Sequence, residues 1–211
     1  MQILFDLDGT LLDPEVGIVT CIRYALAELG IEIDKDIDLT TYIGPPLRDA
    51  FKELCGNDAT AEIAVSYYRE RFSTKGLYEN TVYDGIPDCL RRLSTMADSI
   101  HVATSKPTVY AEKIIEHFKL SRYFNQVYGS NLDGMYSDKT DLLAHILNNE
   151  GLHPRDTVMI GDRRFDITGA KNNGVRAIGV LWGYGTEDEL GNAGADGLCH
   201  HPAEIYDQLF T

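Results

Sequence analysis

Apolar residues follow two rhythms along this chain. Met1-Gln2-Ile3-Leu4-Phe5, Ser99-Ile100-His101-Val102-Ala103, Gln126-Val127-Tyr128, Thr157-Val158-Met159-Ile160 and Arg176-Ala177-Ile178-Gly179-Val180 are short and largely apolar. That is the pattern of strands buried on both faces of a parallel sheet. Longer stretches with helical spacing lie between them: Pro107 to Phe118, with proline near its first turn, the amphipathic Thr140 to Asn149, and Phe165 to Asn173, stopped by Gly174. Strand and helix in alternation predict an α/β fold, a mostly parallel sheet joined by right-handed crossovers.

Residues 14–80 break the alternation. After Pro14, Ile18 to Leu29 has helical periodicity and ends at Gly30; Tyr42-Ile43-Gly44-Pro45-Pro46 interrupts; Leu47 to Leu54 and Ala61 to Phe72 are again helical. The chain returns to the alternating pattern near Tyr83-Asp84-Gly85-Ile86-Pro87. The expected division is therefore a sheet domain made of 1–13 and 84–211 and an all-helical insert over 14–83. An insert with two connections suggests a cap that hinges over the ligand edge of the sheet. Tyr67 and Tyr68 are expected to pack within it.

At 211 residues the chain can form one large domain or a core with a smaller insert. Its formal net charge of −14 repels nucleic acid backbones, so any phosphate ligand must be held by a local cation. No apolar run approaches a membrane span, and residues 1–5 enter a strand without a basic lead, so neither a membrane partner nor an export signal is expected. Cys21, Cys55, Cys89 and Cys199 are scattered, without a Cys-x-x-Cys pair or histidine at zinc spacing. They read as reduced thiols buried in the core of a cytoplasmic protein.

Chemistry concentrates where strands end. Asp6 and Asp8 follow the first strand, and Gly9 breaks it. Ligands of parallel α/β sheets gather outside the carboxyl ends of the strands, where one carboxylate can attack phosphorus and a second can move the proton. The second strand runs into Thr104-Ser105-Lys106-Pro107, a hydroxyl and backbone donors just before a helix. Lys139 opens another helix, and Ile160 leads into Gly161-Asp162-Arg163-Arg164-Phe165-Asp166. If Asp6, Asp162 and Asp166 converge, a like-charge pair about 4 Å apart costs about 4 kcal/mol at an effective dielectric near 20. A magnesium ion removes that conflict and pairs with a substrate phosphate.

In this order the motifs resemble those of the haloacid dehalogenase superfamily, in its phosphatase branch. Phe5-Asp6-Leu7-Asp8-Gly9-Thr10-Leu11-Leu12-Asp13 is similar to its first motif and Thr104-Ser105-Lys106-Pro107 to its second. Lys139 falls where the third motif's lysine is expected, and Gly161-Asp162 with Asp166 resembles the fourth. The helical block is similar to the family's alpha-helical cap, on a Rossmann-like core. Ile43-Gly44-Pro45-Pro46-Leu47 and Trp182-Gly183-Tyr184-Gly185 resemble the phosphoglycolate phosphatase and 5′-nucleotidase subgroup. Dehalogenases of the superfamily lack the second aspartate of the first motif, so Asp8 points to phosphoryl transfer.

The resemblance implies a magnesium-dependent phosphoric monoester hydrolase acting on a small phosphorylated metabolite. In it Asp6 is the nucleophile and Asp8 the acid and base. Magnesium is held by Asp6, the Asp8 carbonyl and Asp162, with Asp166 a water-mediated ligand or a support for Lys139. Thr104, with backbone donors, binds the phosphoryl oxygens, Ser105 belongs to the same substrate loop, and Lys139 offsets charge, with Lys106 as its rival. Arg48 is a candidate anchor for a substrate carboxylate or second phosphate. The expected assembly is a monomer or homodimer. A sugar phosphomutase on the same core and a non-catalytic phosphate-sensing module are the competing readings.

Overall fold

The computed structural model describes residues 1–34 and 36–210, which divide into two compact units, Met1–Asp13 with Val82–Thr211, and Pro14–Thr81. The return junction lies two residues before the expected one. Tyr83 N–H donates to Leu11 O, which ties that stretch to the first unit.

The first unit is built on a six-stranded sheet. Its strands are β1 (Gln2–Phe5), β2 (Ser99–Pro107), β3 (Gln126–Ser130), β4 (Thr157–Gly161), β5 (Arg176–Val180) and β6 (Gly197–Cys199). They lie in the order β3-β2-β1-β4-β5-β6 with every neighbouring pair parallel. β1 is central, and Ile3, Leu4 and Phe5 are fully buried, as its unbroken apolar run requires. The chain fills one side of the sheet with β2 and β3, then crosses to β4 on the other. The switch therefore lies between β1 and β4, where such sheets open a ligand crevice at their carboxyl edge.

Helices Ile86–Leu93, Thr108–His117, Lys139–Glu150, Arg164–Asn172, Glu187–Asn192 and Glu204–Phe210 connect the strands or follow them. Leu142, Leu143, Ile146 and Leu147 pack with Leu4, Met159, Ile167 and Ala177 in one buried cluster. Two boundaries differ from expectation. β2 runs on through Thr104–Pro107, so the next helix begins at Thr108 and not at Pro107. The extension carries a register irregularity between Ala103 and Pro107, which keeps those residues extended beside β3. Helix Ile86–Leu93, not among the expected helices and beginning inside the return junction Tyr83–Pro87, has proline in its first turn and buries Ile86, Cys89, Leu90 and Leu93.

In the second unit, helices Glu15–Glu28, Leu47–Cys55 and Asp58–Phe72 enclose a core of Ile22, Leu26, Phe51, Val65 and Phe72. Tyr68 lies between Phe51 (ring centroids 6.0 Å) and Phe72 (5.2 Å), the packing role expected of it, whereas Tyr67 is half-buried. Arg71 donates to both oxygens of Glu79, at 2.7 and 2.9 Å, and also to Cys21 Sγ at 3.1 Å. Cys21, Cys89 and Cys199 are buried free thiols, as expected, and Cys55 is free but only half-buried. No helix among the described residues is long and apolar enough to cross a membrane.

Candidate active site

β1 ends at Phe5, which pairs with Val102 of β2 and Ile160 of β4. One residue on, Asp6 N–H still donates to Ile160 O at 2.9 Å. The carboxylate therefore leaves the sheet at the β1–β4 switch. Side chains alternate along a strand, so Asp6 shares the face of Leu4, which packs in the cluster of helix Lys139–Glu150. Lys139, the first residue of that helix, reaches back to Asp6.

Lys139 Nζ donates to Asp6 Oδ1 and to Ala103 O, both at 2.8 Å, and pairs with Asp166 Oδ1 at 2.7 Å. It is 5% exposed. Burial alone would lower its pKa, but Asp166 and Asp6 outweigh that and raise it above the ordinary lysine value. Two local features let Lys139 sit there. Asp138 caps its helix by accepting from Thr140 N at 2.7 Å, and Gly169 has no side chain where a Cβ would press on the Lys139 stem.

Asp162 follows β4 and is fully buried. Its Oδ2 accepts from Tyr184 N–H at 2.8 Å, and Thr10 Oγ1 is 3.5 Å from Oδ1. Burial, followed by the charges of Asp166 and Asp6, pushes its pKa well up. Asp166, in the first turn of helix Arg164–Asn172, is likewise raised by burial. A Cβ at Gly9, which holds φ +79°, would strike the Asp162 carboxylate, and one at Gly161 would strike Asp166. Glycine at these positions allows the acids to approach the backbone so closely.

Asp8 is half-buried and its pKa is raised by burial, against the opposing pull of Lys106. Lys106 Nζ lies 2.8 Å from Asp8 Oδ2. The two lysines thus serve different carboxylates: Lys139 meets Asp6 and Asp166, and Lys106 meets Asp8. Thr104 is buried, and its Oγ1 accepts from Lys106 N–H at 3.2 Å. Ser105 is half-buried, and its carbonyl accepts from Ser130 Oγ at 2.8 Å. Arg48 belongs to the helical unit, where its Nε pairs with Glu62 Oε1 at 2.6 Å on exposed surface.

One ligand atom from each of Asp6, Asp162 and Asp166 lies within 4.8 Å of the others. These three acids carry three formal negative charges against the one of Lys139, which pairs with Asp6 and Asp166. The excess matches one divalent cation, and an all-oxygen donor set suits magnesium. The residues fit the ion.

A family model for haloacid dehalogenase-like hydrolases matches residues 3–180. The chain belongs to that family. A 5′-nucleotidase of Pseudomonas aeruginosa is 50% identical over 190 residues, covering 90% of this chain and 86% of its own. The tyrosine-protein kinase PtkA of Mycobacterium tuberculosis is 37% identical over 208 residues, covering 98% and 70%. A crystal structure described as a predicted phosphatase from Clostridium acetobutylicum superimposes with a TM-score of 0.93 at 41% identity, covering 99% of this chain and 97% of that one. Phosphoglycolate phosphatases at lower identity also match.

Segment 182–185 follows β5, and sequence reasoning gave it no chemical role. Trp182 Nε1 donates to Thr10 O at 3.0 Å, and the Tyr184 hydroxyl donates to Asp13. A Cβ at Gly183 would strike Gly9 O and Asp162, and one at Gly185 would strike Asp162 O. The segment thus braces the first and fourth motifs against each other. Its signal in the sequence was the Trp182-Gly183-Tyr184-Gly185 run soon after β5, which pointed to a subgroup but to no contact.

Proposed function

We propose that this chain is a magnesium-dependent phosphomonoesterase that works through an aspartyl-phosphate intermediate on a small phosphorylated metabolite. The observation that carries this reading is the unlike treatment of its first two acids, Asp6 held by Lys139 and Asp8 by Lys106. In the first step an Asp6 carboxylate oxygen bonds to phosphorus while the ester P–O bond breaks. The proton on Asp8 goes to the departing oxygen. In the second step water bonds to phosphorus, gives a proton to Asp8, and releases phosphate as the bond to Asp6 breaks. Thr104 with neighbouring backbone donors holds phosphoryl oxygens, and Lys139 offsets the charge that builds there. Asp6, the Asp8 carbonyl and Asp162 would hold magnesium, with Asp166 bracing Lys139. Bound there, the ion would neutralise phosphate charge.

The 5′-nucleotidase and phosphoglycolate phosphatase relatives support trying nucleoside monophosphates first and phosphoglycolate next. Phosphate release from a panel of both, a sugar phosphate and p-nitrophenyl phosphate tests the reading. Release from at least one ester with magnesium supports it. Isomerisation of the sugar phosphate supports a mutase instead, and transfer from ATP to tyrosine without ester hydrolysis supports a kinase such as the PtkA relative.

Chelation is expected to abolish turnover and magnesium to restore it. Calcium should restore little, because it favours longer bonds and more ligands than an octahedral site offers. Full turnover after exhaustive chelation contradicts the metal assignment.

Arg48 remains our candidate for the anionic tail of the substrate. Its exposed pair with Glu62 is worth about 0–1 kcal/mol, so exchanging partners costs little. Arg48→Ala is expected to lower kcat/KM for phosphoglycolate about ten- to a hundredfold and to leave p-nitrophenyl phosphate nearly unchanged. Equal change on both substrates removes Arg48 from recognition.

A further inference from the structure

Lys106 takes no part in the steps above, yet it too is buried against a carboxylate of the site. Its ammonium lies 2.8 Å from Asp8 Oδ2, with side chains only 6% and 15% exposed. The other oxygen, Asp8 Oδ1, is buried and makes no hydrogen bond among the described residues. An oxygen left so costs stability unless function uses it.

The backbone that carries Lys106 is held on several sides. Its N–H donates to Thr104 Oγ1 at 3.2 Å. Ser130 Oγ donates to the carbonyl of the preceding Ser105 at 2.8 Å. Gly129 lies so close that a Cβ there would strike Lys106 O, so only glycine admits β3 at this point. Thr108 Oγ1 accepts from Gly129 N–H at 3.1 Å and closes the arrangement. Such support is what a group needs if its position matters to a fraction of an ångström.

We propose that Lys106 is a positioning residue that acts through Asp8. By holding Oδ2, it fixes the carboxyl plane and leaves Oδ1 as the oxygen that carries the proton. Oδ1–H gives that proton to the leaving oxygen as the ester P–O bond breaks. The resulting carboxylate, paired with the ammonium, then takes a proton from the attacking water. Lys106 touches no reacting atom. This role rests on the phosphatase reading given above.

The test compares an alkyl phosphate, whose leaving group needs a proton, with p-nitrophenyl phosphate, whose leaving group scarcely does. Lys106→Met is expected to lower kcat about 10- to 100-fold on the alkyl ester and less than about threefold on the aryl ester, with KM little changed on both. Lys106→Arg keeps the charge and should recover most of the loss. Because both residues act on one proton, Asp8→Ala combined with Lys106→Met should be no slower on the alkyl ester than Asp8→Ala alone. Thermal unfolding of each variant accompanies the kinetics. If Lys106→Met does not fold, the same leaving-group bias must appear, smaller, in Lys106→Arg. Equal losses on the two esters, a raised KM, or additive losses in the double variant overturn the role of Lys106 while leaving the phosphatase reading intact. A wild-type protein that hydrolyses neither ester overturns that reading itself.

Discussion

Asp6→Asn leaves a folded protein that releases no measurable phosphate, with kcat reduced at least about 10⁴-fold. Asparagine has the shape of aspartate, and its amide oxygen can still accept the bond that Lys139 Nζ makes to Asp6 at 2.8 Å. What disappears is the charge that makes the oxygen a nucleophile. The fold should not suffer, because Asp6 is one of three acids whose ligand atoms crowd within 4.8 Å, and removing one charge relieves repulsion. The expected pair of results is lost turnover with an unchanged or higher Tm. A drop in Tm that accounts for the lost activity would instead make Asp6 structural.

Lys139→Met reverses this pattern by damaging stability as well as rate. The lysine is buried and bonds to Asp6, Asp166 and the Ala103 carbonyl. Breaking a buried ion pair by removing one partner costs about 3–5 kcal/mol, because the remaining charge stays in a poor solvent. The rate should also fall about 10²- to 10³-fold, the usual effect of losing one preorganised group at developing charge. The sign of the pH dependence in chelator follows from the acids. Asp162 and Asp166 have folded-state pKa values above the ordinary carboxylate value. The folded protein thus binds more protons than the unfolded chain just above that value, and its stability falls as pH rises through this range. Without Lys139 the fall is steeper, so the deficit of the variant should shrink on acidification from neutral pH. Magnesium at neutral pH should recover part of it. Denaturant unfolding with chelator and with magnesium measures both effects; a deficit unaffected by either acid or magnesium contradicts the electrostatic account.

Much of this was legible in the sequence, for identifiable reasons. The central strands announce themselves because a strand buried on both faces has little choice but Ile, Leu, Val and Phe, as in Ile3-Leu4-Phe5. β6 was not foreseen: Gly197-Leu198-Cys199 is too short to show a period, and it is a strand because β5 pairs with it. Helix Ile86–Leu93 was hidden by Pro87, which reads as a turn until a first-turn proline is recognised as a helix starter. Asp6, Asp8, Asp162, Asp166 and Lys139 stood out as polar residues at the ends of strands and the start of a helix. The separate partners of Lys106 and Lys139 did not, since each depends on where a side chain of four methylenes comes to rest. The bracing by Gly183 and Gly185 could not be read locally either. Their function is the absence of a Cβ, and it has meaning only beside Asp162, more than twenty positions earlier and just past another strand.

The central claim is that Asp6 becomes phosphorylated during turnover. Mixing the protein with a ³²P-labelled phosphate ester and magnesium, then quenching in acid within the first turnovers, tests it most directly. The account predicts label on the protein that hydroxylamine releases, as from an acyl phosphate, that maps to the peptide containing Asp6, and that is absent from Asp6→Asn. Turnover without any protein-bound label under these conditions, or label on a peptide lacking Asp6, would contradict it.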